Sequence, residues 1–299
     1  MHAGNDRDSV STALAARIGA AIHAGGGWLP FSRFMAMALY EPGLGYYASG
    51  RTVVGRMPEG GSDFVTAPEL SPLFGRALAV QVAEALDRSG SDEVLDAMPV
   101  QLLVFDGEQW RERGVALAAD GSLAWRDRPT ALRPPHDGPF PPGMVTEIHA
   151  QAEAFVASLA HTLARGAAFF IDYGFPAAEY YHPQRHGGTL MCHRAHQADA
   201  DPLTDVGEKD ITAHVDFTGI ALAGQDAGLE VLGYTTQARF LMNCGLLDEL
   251  RGADARTVAN AQKLLTEHEM GELFKVIGFA AGAGFDALGF ARGDRSHTL

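Results

Sequence analysis

Apolar positions along the chain alternate between a helical period and the period of a strand, which predicts an α/β protein. Leu14, Ile18 and Ile22 recur at helical spacing behind a cap at Ser9 or Ser11, and the glycines at 25–27 end this helix. Two further helices are predicted to begin at the caps Ser32 and Ser71, and others are predicted over 147–165, 217–228, 238–250 and 254–265. Strands are predicted at 100–105, 110–117, 123–125, 167–171, 231–235 and 273–280.

Three of these strands follow one another closely and predict an antiparallel patch. The strands at 100–105 and 110–117 are separated by Asp106-Gly107, a dipeptide typical of a two-residue hairpin turn. A proline-rich connector follows at 129–142. We therefore expect an antiparallel β insertion over about 100–142, and a second, loop-like insertion over about 175–209.

The segment 63–71 reads Asp-Phe-Val-Thr-Ala-Pro-Glu-Leu-Ser and precedes a helix with one apolar face. Ser71 is a good N-cap, and Pro72 suits the first helical position because its missing N–H would be unbonded there. Thr66 and Glu69 form a turn before this helix start, where free N–H groups and the helix dipole favour polar ligands. The alternative is a helix start that touches no ligand.

Polar residues also follow the apolar run at 167–171. Asp172 and Tyr173 are predicted to end a buried strand, and open α/β sheets bind ligands at the carboxyl ends of their strands. Simple loop capping is the alternative for both residues. His214 and Asp216 precede a predicted helix, which favours Asp216 as its N-cap and leaves His214 as a candidate proton acceptor or acceptor-site ligand.

The turn at 40–47 (Tyr-Glu-Pro-Gly-Leu-Gly-Tyr-Tyr) is dense in glycine and aromatic residues. Such a composition is expected where backbone approaches another group closely. Two interpretations stay open: a packed loop, or a lid that brings Tyr46 and Tyr47 over a ligand.

Composition narrows the function classes. The formal net charge of −14 argues against non-specific nucleic-acid binding, and no apolar run reaches the ~18 residues that cross a bilayer. The polar first residues lack a signal-peptide pattern, and the two cysteines, Cys192 and Cys244, share no close motif. We therefore expect a cytoplasmic protein that binds neither nucleic acid nor membrane.

A metal site is not expected. Cys192 lies among His182, His186, His193 and His196, but their spacing matches no closed zinc pattern. Neither a Gly-x-Ser-x-Gly motif nor a Walker motif occurs in the sequence. A metal-dependent hydrolase is therefore a distant alternative.

Seven segments resemble one family in the same order along the chain. They are 31–35, 40–47, 63–71, 93–99, 170–174, 210–217 and 271–275. Together they resemble the MidA-like S-adenosylmethionine-dependent methyltransferases, which include the mitochondrial complex I assembly arginine methyltransferase. The resemblance implies a class I (Rossmann-like) sheet with helices on both faces, a helical lid segment at 1–62 and a catalytic domain at 63–299.

The resemblance also implies S-adenosylmethionine as the methyl donor and a protein arginine as the acceptor. The expected partner is an arginine-containing protein substrate, and a homodimer is left open. A catalytically inactive binding or assembly factor is the alternative function. The implied catalytic residues are Glu93, Asp96, Asp172 and His214; the implied cofactor-binding residues are Thr66, Pro68, Glu69, Ser71 and Glu93; the implied substrate-binding residues are Tyr46, Tyr47, Tyr173 and Asp216.

One departure from the family is a missing glycine-rich turn. Such enzymes carry this turn after the first strand and an acidic residue after the second, both of which contact the cofactor. Here Gly90 is followed directly by Ser91, so the first βαβ units are absent. We expect either residues omitted between Gly90 and Ser91 or a true deletion. The Gly-x-Gly segments at 43–45 and 282–284 are poor substitutes.

Overall fold

A computed structural model describes residues 3–49, 66–86, 95, 97–194 and 197–299, except for the side chains of 3–10, 69, 85 and 86. Its helices are α1 (Ala3–Ala24), α2 (Phe31–Tyr40), α3 (Ala67–Leu70), α4 (Pro72–Leu86), α5 (Ala150–Thr162), α6 (Ala177–Tyr180), α7 (Phe217–Asp226), α8 (Gln237–Asn243), α9 (Leu246–Glu249), α10 (Ala255–Leu265) and α11 (Met270–Leu273). Its strands are β1 (Leu29–Pro30), β2 (Gln101–Phe105), β3 (Trp110–Leu117), β4 (Leu123–Pro129), β5 (Val145–Ile148), β6 (Gly166–Phe175), β7 (Met191–Arg194), β8 (Gln197–Asp199), β9 (Asp210–Thr212), β10 (Val215–Asp216), β11 (Glu230–Thr236) and β12 (Phe274–Ala281).

The chain forms two compact units. The first unit contains Met1–Phe64, Ala97–Gln151 and Tyr181–Ala213, and the second contains Val65–Asp96, Ala152–Tyr180 and His214–Leu299. Each unit is therefore built from segments that are distant in sequence.

The sheet of the first unit is antiparallel. Its described strands lie in the order β1-β3-β2-β5, and β4 also pairs with β3. This confirms the antiparallel patch predicted from the sequence. The predicted two-residue turn is wrong in register: Phe105 pairs with Trp110, and the Asp106 N–H donates to the Gln109 carbonyl. The turn therefore centres on Gly107, whose φ of 106° suits glycine, and Glu108.

Helices α1 and α2 share a core with this sheet. Leu14, Ile18 and Ile22 are buried as predicted, and Gly114 of β3 lies so close to Trp28 that a Cβ there would collide with its ring. A smaller described sheet, β8-β7-β9, joins the same core through Cys192 and Ile211. The first unit thus contains one main apolar core.

The sheet of the second unit mixes parallel and antiparallel pairs. Its described strands lie in the order β10-β6-β12-β11, where β10 is parallel to β6 and β12 is antiparallel to both β6 and β11. The strands β6 and β11 consequently run in the same direction, on either side of β12. Phe240, Leu241, Leu246 and Leu264 from α8, α9 and α10 share a buried core with Val276 of β12.

Several predicted element boundaries are wrong. Glu147 lies in β5 rather than at a helix start, because α5 begins only at Ala150. The strand predicted at 167–171 extends to Phe175, so Asp172 and Tyr173, predicted to end it, are followed by two further strand residues. Residues 191–194, predicted as loop, form β7. The helix predicted at 238–250 is interrupted at Gly245, whose φ is 86°. Ser32 does not cap α2, which has Pro30 at its N-cap position.

The expectation of a mixed α/β fold is confirmed. The lid role of residues 1–62, the domain boundary at 62/63 and the absent βαβ units stay predictions. The boundary and the Gly90–Ser91 junction lie outside the described residues.

Candidate functional site

The site candidate in the second unit is one edge of its sheet. Because β6 and β11 run in the same direction and β12 runs opposite, the carboxyl ends of β6 and β11 meet the first residues of β12 at this edge. The strand β10 pairs with residues 174–175 at the same edge. Sheet edges formed by strand carboxyl ends are where α/β proteins bind ligands.

Asp172 is buried at this edge and holds neighbouring backbone. Its Oδ2 accepts a hydrogen bond of 2.9 Å from the Leu95 N–H, and its Oδ1 accepts one of 2.8 Å from the Tyr173 N–H. The strand register places Asp172 opposite Lys275 of β12. The carboxylate therefore ties the segment that contains Leu95 to β6, a positioning role that the sequence did not reveal.

Aromatic side chains cluster beside Asp172. The His214 ring lies 5.9 Å from the Tyr173 ring and 5.2 Å from the Phe175 ring, both in edge-on contacts. Phe274 contacts Tyr173 from β12 at 4.4 Å between ring centroids. The structure thus brings together two of the predicted site residues, Tyr173 and His214, and adds Phe175 and Phe274, which the sequence analysis missed.

Asp216 caps α7, as predicted. Its carboxylate accepts hydrogen bonds from the Thr218 and Gly219 N–H groups, at 3.1 and 3.3 Å from Oδ1. Burial, and secondarily the charge of Asp216, raise the pKa of the half-buried Glu153 carboxyl above its usual value. The start of α7 is therefore a negatively charged region.

Two further polar residues of this edge were missed because the sequence analysis assigned them to strand interiors. Lys275 is 6% exposed; its Nζ donates to the Glu272 carbonyl, lies 3.8 Å from the Glu272 carboxylate and lies 5.9 Å from the Phe175 ring centre. Burial lowers the pKa of this lysine. Tyr234 of β11 is 1% exposed. The alternating strand register, read with the polar end of β11, was the signal that could have identified both.

The predicted turn at 66–69 is the short helix α3, and α4 begins at Pro72. Ser71 caps α4 as predicted, because its Oγ accepts a hydrogen bond of 3.3 Å from the Leu73 N–H. Pro68 is exposed, and the side chain of Glu69 lies outside the described residues. Contacts of Thr66, Pro68, Glu69 and Ser71 with a cofactor stay predictions.

The two predicted substrate tyrosines belong to the first unit. Tyr46 is fully buried, and the Tyr47 hydroxyl donates to Asp210 Oδ1 at 2.9 Å. The Tyr47 ring stacks on Tyr40, whose hydroxyl donates to the Ala97 carbonyl. These contacts are those of a packed turn, one of the two interpretations left open by the sequence.

Both alternative Gly-x-Gly segments have structural explanations. A Cβ at Gly45 would meet backbone atoms of Leu39 and Glu41 at the end of α2. A Cβ at Gly284 would meet the Glu230 carboxylate, which accepts the Gly284 N–H. The contacts of these glycines therefore account for them without a cofactor, in agreement with the expectation that these segments are poor substitutes for the missing turn.

Other predicted site residues lie outside the described residues. These are Glu93 and Asp96, and the junction between Gly90 and Ser91. Among the residues that the structure describes, no three His, Cys, Asp or Glu side chains are grouped as metal ligands would be. In the same residues, no helix combines the length and the apolar character needed to cross a membrane.

Comparisons with known proteins address the family. Residues 90–235 match a family described as "Putative S-adenosyl-L-methionine-dependent methyltransferase". A crystal structure of a "likely methyl transferase" from Burkholderia thailandensis, bound to S-adenosyl-homocysteine, is 41% identical with a TM-score of 0.93, and the alignment covers 98% of each chain. A native crystal structure of an uncharacterised protein from the same organism is 40% identical with a TM-score of 0.89, again over 98% of each chain. Both of these proteins are described as members of the COG1565 superfamily. A comparison with curated proteins found no match.

The chain belongs to this family of S-adenosyl-L-methionine-dependent methyltransferases. The predicted cofactor, S-adenosylmethionine, is confirmed at the level of the family, and the similar structure holds the product of that cofactor after methyl transfer. The arginine acceptor and the relation to complex I assembly are not addressed by these matches.

Proposed function

We propose that the protein transfers a methyl group from S-adenosylmethionine to a nitrogen of a protein arginine. The observation that carries the methyltransferase part is the 41% identity, over 98% of both chains, with a protein whose structure contains S-adenosyl-homocysteine. The arginine part rests on the sequence resemblance and on carboxylates predicted next to the reaction centre.

The described residues fit one side of such a site. The sheet edge with Asp172, His214, Asp216 and Lys275 offers buried charges and aromatic faces at strand carboxyl ends. The Gly-x-Gly segments at 43–45 and 282–284 do not fit a binding site for S-adenosylmethionine. Backbone atoms occupy the space beside Gly45, and a carboxylate occupies the space beside Gly284. The described edge is therefore proposed as the acceptor side.

S-adenosylmethionine, when bound, supplies an electrophilic methyl group. The work left to the protein is to orient the acceptor nitrogen and to stabilise its positive charge. We assign the orientation to Glu93 and Asp96, because two carboxylates can hold a guanidinium through paired, charge-assisted hydrogen bonds. We assign to His214 the acceptance of the proton that the guanidinium loses. Tyr173 and Phe175, on either side of the His214 ring, would limit water there.

The first test is cofactor binding to the full chain. Calorimetry with S-adenosyl-homocysteine should give saturable binding, since the similar protein was crystallised with that compound. Absence of binding at millimolar concentrations contradicts the proposed function for this chain. In that case the alternative of an inactive binding or assembly factor would follow.

The second test is the acceptor. Transfer of a labelled methyl group should occur to arginine-containing peptides and not to the same peptides with lysine in place of arginine. Glu93→Gln and Asp96→Asn should each reduce transfer by more than tenfold without weakening S-adenosyl-homocysteine binding in proportion. Glu108→Gln, on an exposed turn of the first unit, is the matched control and should leave both quantities unchanged.

A further inference from the structure

The Tyr234 side chain is buried, and its hydroxyl group lacks a hydrogen bond to the described part of the chain. Its Oη has no hydrogen-bond partner among the described residues, although the residue is only 1% exposed. The backbone of the same residue is fully paired: its N–H donates to Asp294 Oδ1 at 2.9 Å, and its carbonyl accepts from the Arg295 N–H. Leaving a buried polar group unbonded costs about 1–3 kcal/mol, so such a group calls for an explanation.

Tyr234 lies at the candidate site and not in a remote part of the core. It occupies the carboxyl-terminal half of β11 and pairs with Ile277, while Thr236, two residues later, pairs with Lys275. Side chains two positions apart on a strand share one face, and Lys275 in turn pairs with Asp172 of β6. Tyr234, Lys275 and Asp172 therefore lie on one face, near one edge of the sheet.

Carboxylates outnumber cations among the charged groups that act on the hydroxyl, and the one guanidinium, of Arg295, is paired with Glu272 at 2.8 Å. After burial itself, the charges of Glu179, Glu272 and Asp216 raise the pKa of Tyr234, and only the Arg295 guanidinium acts in the opposite direction. The phenol consequently stays protonated at neutral pH. A neutral hydroxyl among three carboxylates suits a ligand that carries positive charge and N–H donors.

We propose that the Tyr234 hydroxyl belongs to the acceptor-binding site, where its oxygen accepts a hydrogen bond from a cationic nitrogen group, a guanidinium or an ammonium. This inference rests on the proposed function, since the cation is the methyl acceptor. It adds a residue of β11 to a site that the sequence analysis built from other segments. Tyr234 thereby acts in acceptor recognition.

The test uses Tyr234→Phe in the full chain, because this change removes only the hydroxyl. The probes are N-acetyl-arginine amide, which is cationic, and N-acetyl-citrulline amide, which has nearly the same shape without the charge. The measurement is the unfolding temperature at increasing probe concentration, without any cofactor. Binding to the folded state raises this temperature in a manner that yields an apparent Kd.

The wild-type protein should respond to the arginine probe and not to the citrulline probe. Tyr234→Phe should unfold at the same or a higher temperature without probe, because it loses a polar group that has no partner. Its apparent Kd for the arginine probe should be roughly tenfold weaker, as expected for one hydrogen bond to a charged group. Tyr40→Phe, which removes a hydroxyl bonded to the Ala97 carbonyl, should lower the unfolding temperature and leave the probe response unchanged.

Two results overturn the inference. One is a marked fall in the unfolding temperature of Tyr234→Phe without probe, which would mean that the hydroxyl is bonded within the folded chain. The other is an equal response of the wild-type and variant proteins to the arginine probe, including no response in either. Failure of the methyltransferase proposal appears separately, as absent S-adenosyl-homocysteine binding, while the difference in arginine response between wild type and Tyr234→Phe tests the role of the hydroxyl.

Discussion

Two buried carboxylates, one in each unit, serve their surroundings in different ways. Glu147 of β5, fully buried in the first unit, accepts the Thr189 and Leu190 N–H groups and the Thr189 hydroxyl. Asp172, in the second unit, accepts the Leu95 and Tyr173 N–H groups and lies on the same sheet face as the Tyr234 hydroxyl, which has no partner among the described residues.

The difference separates a structural polar cluster from a candidate binding site. Glu147 fastens the segment at Thr189 to β5, and a Cβ at Gly188 would collide with its carboxylate, so the cluster has no room for a ligand. In the second unit, the sheet face that carries Asp172 and Lys275 also carries the Tyr234 hydroxyl, which has no hydrogen-bond partner among the described residues. Buried polar groups whose hydrogen bonds are made within the chain indicate a structural role, and a buried polar group without such a bond indicates a candidate binding site.

Glu147→Ala should give the largest effect. It leaves two buried N–H groups of residues 189 and 190 without acceptors and opens a cavity, which we expect to cost about 3–5 kcal/mol. The free energy of unfolding, measured in urea, should fall by this amount. Glu108→Ala, at an exposed turn position, is the control. A loss below about 1 kcal/mol would mean that Glu147 does not fasten this segment.

Gly174→Ala should have the next largest effect. A Cβ at Gly174 would overlap the Val215 carbonyl of β10 and the Phe217 ring, so β10 must shift, at a cost of about 1–3 kcal/mol. Gly75→Ala in α4, where a Cβ meets nothing within 4 Å, should instead stabilise the protein by about 0.5–1 kcal/mol. Opposite shifts of the unfolding temperature are the expected result; shifts of the same sign would contradict it.

Asp172→Asn tests the fastening of Leu95. The amide keeps one acceptor oxygen but turns an N–H₂ group toward a backbone donor, so we expect a loss of about 1–2 kcal/mol and weaker S-adenosyl-homocysteine binding. Asp106→Asn is a matched control, since Asp106 also accepts two backbone N–H groups, from Glu108 and Gln109, but in an exposed turn. If both variants lose the same stability, burial of Asp172 is not the cause.

Glu153→Gln should have the smallest effect, and one that depends on pH. The raised pKa of Glu153 means that the folded state favours its protonated form; this stabilising contribution is present below the ordinary pKa of a glutamate and is lost as pH rises through the raised pKa. Glutamine stays neutral throughout. The variant should therefore unfold roughly 1–3 °C higher than wild type at pH 8 and at the same temperature at pH 4. An unchanged difference between the two pH values would contradict this reasoning.

The sequence predicted those features that local rules determine. The cap roles of Ser71 and Asp216 are confirmed, because the short side chain bonds the next backbone N–H groups regardless of tertiary context. The antiparallel patch is confirmed because its strands are adjacent in sequence. These predictions required no knowledge of distant segments.

The sequence was misleading where tertiary pairing overrides local pattern. Glu147 resembles the first-turn acid of a helix, yet strand β2 pairs with it and the segment at Thr189 bonds its carboxylate. The apolar run of β6 stops at Ile171, yet β12 pairs with β6 through Asp172 and Tyr173 as well. Tyr234 lies within a predicted strand, and the register of β11 on β12 determines which side of the sheet it occupies.

The position of β12 between β6 and β11 has a consequence for folding on the ribosome. The two strands that it joins are synthesised earlier, at 166–175 and 230–236, but neither pairs with the other in the described sheet. Their facing edges stay without a partner until residues 274–281 leave the exit tunnel. Nascent chains stalled before this point should consequently be protease-sensitive throughout β6 and β11, and protection of both strands should arise in one late step.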